Sequence, residues 1–396
     1  MSGRPLSHVF ARAARSAWPL ALLLTGLCSV ERVQATQLFW SDEQTGQIGR
    51  ARLDGTAQQG LLTRSSPRGL AFDPQGARLF FAMDLPSVPI EPTGSIQVAP
   101  LTGGSNTLVG KQQLPWHVEY AAANDSVYWT DLNDQVIRRA PAAGGKVETI
   151  VPGLAVPAGL AIDASAGRLY WSEQNVGTEL PHEIHSAKLD GSDAHSFLTG
   201  SLLPYDLAID PLRGKLYYSI INPNIDGLYP GAILRSNLDG SDPVPVVSGL
   251  GGPRALAIDA AAGKLYWSDW NELTGAPGHL SRSNLDGSDA QDLVLGLDRP
   301  YGLALDLRRT PGDANDDGRV DLSDFGLLKA HFGSGSLWGE GDFDASLSVD
   351  LSDFGILKQN FGAGTLPAGV PEPSAGVLAA LGLLAASALG RLRPLC

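Results

Sequence analysis

One phrase recurs six times along this 396-residue chain and constrains its fold more than any other feature. The copies are Leu38-Phe-Trp-Ser-Asp42, Leu79-Phe-Phe-Ala-Met-Asp84, Val127-Tyr-Trp-Thr-Asp131, Leu169-Tyr-Trp-Ser-Glu173, Leu216-Tyr-Tyr-Ser-Ile220 and Leu265-Tyr-Trp-Ser-Asp269. They start 41, 48, 42, 47 and 49 residues apart, the period of a four-stranded propeller blade. A second phrase accompanies each copy: Gly69-Leu-Ala-Phe-Asp73, His117-Val-Glu-Tyr-Ala121, Gly159-Leu-Ala-Ile-Asp163, Asp206-Leu-Ala-Ile-Asp210, Ala255-Leu-Ala-Ile-Asp259 and Gly302-Leu-Ala-Leu-Asp306. A third, Leu-Asp-Gly, follows at Leu53, Leu189, Leu238 and Leu285, and is degraded around Gly104 and Gly145. Short apolar runs parted by turn residues read as strands. Strand a carries the Gly-Leu-Ala-Ile-Asp phrase, b the aromatic pair, c the run into Leu-Asp-Gly, and d the apolar stretch after it. The region opens on a b strand at Leu38 and closes on an a strand at Leu303–Leu305. The last strand therefore completes the first blade, and a closed ring leaves only short protected edges. The expected fold is mainly β, a monomeric six-bladed β-propeller over residues 36–306, followed by a small α-helical module.

The phrases resemble the YWTD repeats of low-density-lipoprotein-receptor class B propellers over about 270 residues. Val127–Asp131 matches letter for letter, while the copies at Phe80, Glu173 and Ile220 depart. The resemblance implies that the aromatic pair packs between blades and that the acid bonds nearby backbone. Trp129, Trp171, Trp267 and Asp269 are accordingly expected to be structural.

Blade strands alternate in direction, so the b–c and d–a loops share one face. The b–c loops Pro86–Gly94, Gln174–Glu183, Asn222–Gly231 and Trp270–Gly278 are long and mutually different, as binding loops on a regular scaffold are. The residue after the proline that opens strand a falls on the same face: Arg68, Trp116, Ala158, Tyr205, Arg254 and Tyr301. Tyr, Trp and Arg are the types enriched at interface hot spots. With Trp270 and Tyr229 from the long loops they form a candidate patch for a protein or carbohydrate ligand. Catalysis has thin support. His182-Glu183-Ile184-His185 is one residue short of the zinc-protease spacing and lies beside Pro181, where no helix aligns two imidazoles. No serine elbow or phosphate-cradling loop is present. The alternative is a calcium-dependent propeller hydrolase of lactonase or esterase type, but Asp73, Asp163, Asp210, Asp259 and Asp306 recur blade by blade, as structural groups do. The chain is expected not to be an enzyme.

The net charge of −13 argues against nucleic acid as a partner. Residues 311–362 supply −7 of it, with ten acids against Arg319, Lys329 and Lys358. Asp313, Asn315, Asp317, the Arg319 carbonyl, Asp321 and Asp324 stand at calcium-loop positions 1, 3, 5, 7, 9 and 12, with Gly318 at 6. A second loop offers Asp342, Asp344, Ser346, the Ser348 carbonyl, Asp350 and Asp353. There Leu347 replaces the glycine and Ser346 an acid, so two calcium sites are expected, the second weaker. Each loop runs into one short helix, Leu322–Phe332 or Leu351–Phe361, whose apolar Leu322, Phe325, Leu328 and Phe332 are expected to pack against their copies. A duplicated loop with only the exiting helix resembles a type I dockerin over 313–362. The resemblance implies a cohesin-like module on another protein as partner, chosen through Leu322-Ser323 and Leu351-Ser352. With only 307–312 as linker, docking in cis on the propeller is the other possibility.

The two ends read as addresses. Arg4, Arg12 and Arg15, then the apolar run Pro19–Val30, then Val33-Gln34-Ala35 describe a secretory signal peptide over 1–35. After a linker at 363–369, residues 370–393 run from Pro371-Glu372-Pro373 through an uncharged stretch to Arg391-Leu392-Arg393. That order resembles the PEP-CTERM sorting signal, which implies processing by an exosortase and a place in or on a Gram-negative cell envelope, anchored by the C-terminal segment at least transiently. The only cysteines, Cys28 and Cys396, lie in these terminal segments, which excludes a disulfide scaffold.

Overall fold

The structure, a computed structural model, describes residues 36–84, 93–176, 180–200, 202–221, 231–271 and 275–364. The signal-peptide and sorting-signal segments, with Pro371, Glu372 and Pro373, lie outside the described residues, as does Tyr229. Among the described residues no helix is long and apolar enough to cross a membrane.

Six four-stranded antiparallel sheets form the six blades. The last strand, Pro300–Asp306, pairs with the first, Gln37–Asp42, so the ring closes as the order of phrases requires. A blade is covered on both faces, which explains why strand b carries a continuous apolar run instead of an alternation with polar residues. Side chains still alternate along it, and the two aromatics go opposite ways. Tyr128 packs in the core between blades three and four, while Trp129 packs between blades two and three. Phe39 and Trp40, Tyr170 and Trp171, and Tyr266 and Trp267 divide in the same manner. Trp129, Trp171 and Trp267 are at most 2% exposed, so their structural role is met.

The other letters of the phrase do equally specific work. Asp131 accepts the backbone N–H groups of Gln113 and Leu114, at 3.2 and 3.1 Å, in the loop leading into its own blade. Asp269 does the same for Gly251 and Gly252, and Asp42 for Asp298 and Arg299. The hydroxyl before the acid stitches blades together. Thr130 accepts from the His117 N–H at 3.1 Å and donates to the Ala158 carbonyl of the next blade at 2.9 Å. Ser41 and Ser172 repeat the stitch onto the Arg68 and Tyr205 carbonyls. Thr130→Val keeps the shape but leaves that buried pair unmet, which costs about 1–3 kcal/mol. The expected result is a lower denaturant midpoint with an unchanged slope; an unchanged midpoint would show that the stitch contributes nothing.

The strand-a acids are absorbed by turns. Asp73, Asp163, Asp210 and Asp259 each accept N–H groups two or three residues on in the a–b turn, and Asp306 takes the Arg308 N–H. They sit at the face opposite the b–c loops, held by local bonds.

Beyond the ring, residues 313–364 form a duplicated loop–helix unit with helices α1 (Leu322–His331) and α2 (Leu351–Asn360). Both end one residue short of expectation, because Phe332 and Phe361 turn to extended backbone as C-caps. The copies interlock. The chain after α1 bonds Val349 in the second loop (Gly333 N–H, 2.9 Å; Val349 N–H to Gly335, 3.0 Å), and the chain after α2 bonds Val320 in the first (Gly362 N–H, 2.9 Å; Val320 N–H to Ala363, 3.0 Å). Val320, Leu328, Val349 and Leu357 form the core, and Phe325 meets Phe354 at 6.1 Å. Leu322 and Phe332 depart from the expected packing: they are 56% and 40% exposed, and Leu351 is 52% exposed. Position one of each helix stands clear of the core that the second and third turns build.

Residues 307–312 are no free tether. Arg309, 5% exposed, joins Asp259 of blade six at 2.5 and 3.0 Å to Asp316 of the first loop at 3.0 Å. Trp338 donates its backbone N–H to the Ala261 carbonyl at 2.8 Å and lies 5.3 Å from the Arg309 guanidinium. The module therefore docks in cis on the face opposite the b–c loops. Short sequence separation alone left this open; the buried Asp259 and the half-buried Asp316 sharing one arginine decide it.

Candidate functional site

The candidate patch is built by a bulge. In all six blades the strand-a register slips just after the opening proline, as between Pro67 and Leu70 or Pro115 and Val118. A bulge re-aims the inserted residue. Arg68, Trp116, Tyr205, Arg254 and Tyr301 accordingly line one throat at the ring's axis, together with His117. Trp116 meets Tyr301 edge-on at 5.3 Å, and Trp270 meets Tyr301 at 5.9 Å. The Arg68 guanidinium lies 4.0 Å over the Trp116 ring, and Arg254 lies 4.2 Å over Tyr205 and 5.2 Å from Trp270. At its narrowest the throat holds about 10 Å³, roughly one water molecule. A peptide backbone does not fit through this space.

Two expected members differ. Trp270 belongs to the end of a strand, Lys264–Asn271, and is 5% exposed behind Tyr301. It supports the patch from within. Ala158 offers its carbonyl to Thr130 and is 3% exposed.

The structure adds groups the sequence reading passed over. His117 Nδ1 stands 3.2 Å from Asp206 Oδ1, and its Nε2 stands 3.5 Å from Glu119 Oε1. Asp206 also accepts the Leu256 N–H at 2.8 Å, so blades three, five and six meet at one buried carboxylate. Burial alone would lower the His117 imidazole, but Asp206 and Glu119 outweigh it and hold it above its usual range. Burial pushes Asp206 up to about 6. The signal was present in the second phrase. His117 and Asp206 stand where three blades have glycine, and Glu119 where the others have alanine. Glycine is required where strands crowd the axis: a Cβ on Gly159 would lie 2.4 Å from the Tyr205 carbonyl oxygen. Below these groups an apolar channel of about 240 Å³, lined by Leu70, Ala161, Leu207, Leu256 and Leu303, has Glu119 as its one charged wall.

The HEIH segment lies on the strand His182–Lys188. His182 accepts the Asn175 N–H, while His185 stacks on Trp171 at 5.1 Å with Glu173 and Glu183 each 3.4 Å from its Nε2. The two imidazoles have separate partners.

The acidic module gathers its expected donors. Asp342, Asp344 and Asp353 bring carboxylate oxygens within 4.8 Å of one another. Ser346 donates its hydroxyl to the Ser348 carbonyl at 3.1 Å, closing the same loop. In the first loop, Asp313 accepts the Asp317 and Gly318 N–H groups, Asn315 accepts the Asp317 N–H, Asp317 accepts the Arg319 N–H, and Asp324 accepts those of Ala314 and Asp321. Asp321 and Asp350 cap α1 and α2 through Ser323 and Ser352. Gly318 has φ +85° and Leu347 φ +66°, so the replaced glycine position is indeed left-handed and strained for leucine. Burial, with neighbouring acids, pushes Asp313 up to about 6 and raises Asp324 and Asp342. An all-oxygen set of crowded carboxylates suits a hard divalent cation.

Comparison with known proteins agrees with the ring. No family model matches the chain. Nidogen-2 of Mus musculus is 38% identical over 78 residues, covering 19% of this chain, and low-density lipoprotein receptor-related protein 5 of Mus musculus is 29% identical over 190 residues, covering 44%. The chain spans only 5% and 11% of the lengths of these two relatives. A crystal structure of a nidogen/laminin complex superposes with TM-score 0.57 at 22% identity, over 69% of this chain and 99% of that one. The ring is a six-bladed β-propeller, similar over part of its length to these two relatives.

Proposed function

We propose that this chain is an exported, non-catalytic binding and assembly protein whose propeller captures a protein ligand on its b–c loop face. The observation that carries the reading is the convergence of Arg68, Trp116, Tyr205, Arg254 and Tyr301 on one throat. The superposed relative is itself described in complex with laminin, which favours a protein over a carbohydrate. The hydrolase alternative is less well supported. The strand-a acids cap turns, and the titratable cluster of His117 with Asp206 and Glu119 lies at the Arg–aromatic plug.

Residues 313–364 act in this reading as a dockerin-like calcium module. Asp313, Asp324, Asp342 and Asp353, each at most 3% exposed, would hold two calcium ions with the other loop oxygens. Leu322-Ser323 and Leu351-Ser352 would meet a cohesin-like partner; both leucines stand more than half exposed at the helix starts although the module is docked in cis. The signal peptide and the PEP-CTERM tail, processed by an exosortase, would deliver the chain to the envelope surface.

The test is ligand retention by the full chain on a column loaded with envelope extract. Replacing both Trp116 and Tyr301 with alanine removes two central anchors, each of a type that costs about 2 kcal/mol or more when truncated in a hot spot. Retention is expected to fall at least tenfold while calcium binding stays intact. Unchanged retention would sink the face assignment.

A further inference from the structure

We infer that the throat reads a carboxylate, so that the protein ligand inserts an acidic side chain or a free C terminus there. This rests on the binding-face reading above and names the chemistry of the group bound. The chain carries −13 overall, yet the mouth reverses that sign. Arg68, Arg254 and Arg299 gather around Trp116, Trp270 and Tyr301. Among the described residues Glu43 is the one carboxylate paired with any of them, at 2.7 Å from Arg68 and 3.9 Å from Arg299. Arg254 has no carboxylate among the described residues.

Arg254 is also held ready. Its guanidinium lies between the rings of Tyr205 and Trp270, 4.2 and 5.2 Å from their centroids. Rings satisfy the cation's faces and leave its in-plane donors free. Its Nε is buried with no hydrogen-bond partner, and so is the Nε of Arg68 across the same throat. A buried donor left unmet is costly, and two of them bordering one small cavity define a place for an acceptor. Guanidinium and carboxylate match as a planar fork. A carboxylate seated at the mouth would put one oxygen, about the size of the single water that the throat holds, against the guanidinium edges. Its charge would balance the arginine that Glu43 leaves unpaired.

The experiment is selection of a random peptide library, displayed with free C termini, on the immobilised full chain, followed by binding of the enriched peptides to variants. Enriched peptides are expected to share an Asp or Glu, or to depend on their terminal carboxylate. Asn or Gln replacement tells the first source, and C-terminal amidation tells the second. Either change is expected to weaken binding at least tenfold, as is Arg254→Met, with Arg254→Lys recovering part of it. Thermal melting and calcium titration check that each variant is folded. Peptides that need Trp116 and Tyr301 but tolerate Arg254→Met and neutral isosteres would overturn the carboxylate and leave the face standing. Peptides indifferent to Trp116 and Tyr301 would overturn both.

Discussion

Calcium removal is expected to unfold residues 313–364 while the six blades stay folded. The module's core is small: seven buried apolar residues, among them Val320, Leu328, Val349 and Leu357. Units of this size rarely fold on core burial alone. Against that core stand Asp313, Asp324, Asp342 and Asp353, all nearly or fully buried, and no basic side chain pairs with any of them among the described residues. Burial raises the pKa of Asp313 to about 6 and lifts Asp324 and Asp342 as well. A carboxylate whose folded pKa exceeds its unfolded value opposes folding above that folded pKa. The opposition fades as pH falls from about 6 toward the ordinary carboxylate range near 4. Bound calcium would reverse this, because its charge favours the ionised form. Its stabilising effect should therefore be largest above pH 6 and small near pH 4. At a hundredfold excess over Kd, binding to the folded state alone contributes about 2.7 kcal/mol per site. Calorimetric titration should show two events, one of them lost in an Asp313→Ala/Asp324→Ala variant. A chelator should abolish α1 and α2 ellipticity and leave blade tryptophan fluorescence unchanged. No binding would end the dockerin-like reading. A strong site surviving mutation of both loops would place calcium in the ring and return weight to the hydrolase.

The second large effect is expected at Arg309. Its guanidinium is 5% exposed and holds two acids at once, Asp259 of the ring and Asp316 of the module. Asp259 is fully buried. Arg309→Met preserves much of the stem but strands that carboxylate, and breaking a buried pair from one side costs about 3–5 kcal/mol. The ring can keep its turn through the Ala262 N–H bond to Asp259, so most of the loss should fall on docking. Calorimetry is expected to resolve separate transitions for ring and module, and protease should begin to cut within 307–312. Arg309→Lys should not rescue, since one ammonium cannot span both acids as the fork does. A single transition and an uncut linker in Arg309→Met would show that the contact of Trp338 with Ala261 carries the docking by itself.

Most of the ring was legible because propeller physics is repetitive. A strand b buried on both faces carries its apolar residues consecutively, so the Leu-Tyr-Trp run is conspicuous even where single letters drift. The acid and hydroxyl bond backbone, whose geometry repeats with the blade, and so they repeat too. The patch was legible in part. The proline that opens strand a recurs, and the residue after it could be followed round the ring. His117, Glu119 and Asp206 were missed because each is an exception to a phrase, and only distance shows that three exceptions from blades three and five meet within 3.5 Å.

The sequence by itself determined the blade count, the order of closure and the calcium-loop spacing, since each follows from local periods along the chain. Tertiary structure alone decided the rest. It placed Trp270 behind Tyr301, left Arg254 without a carboxylate partner among the described residues, and set the module on the ring through Arg309. Those outcomes turn on side chains that meet across stretches such as the 31 residues from Trp270 to Tyr301 and the 50 from Asp259 to Arg309. Closure of a ring settles such meetings by excluded volume and charge balance, neither of which has a period along the chain.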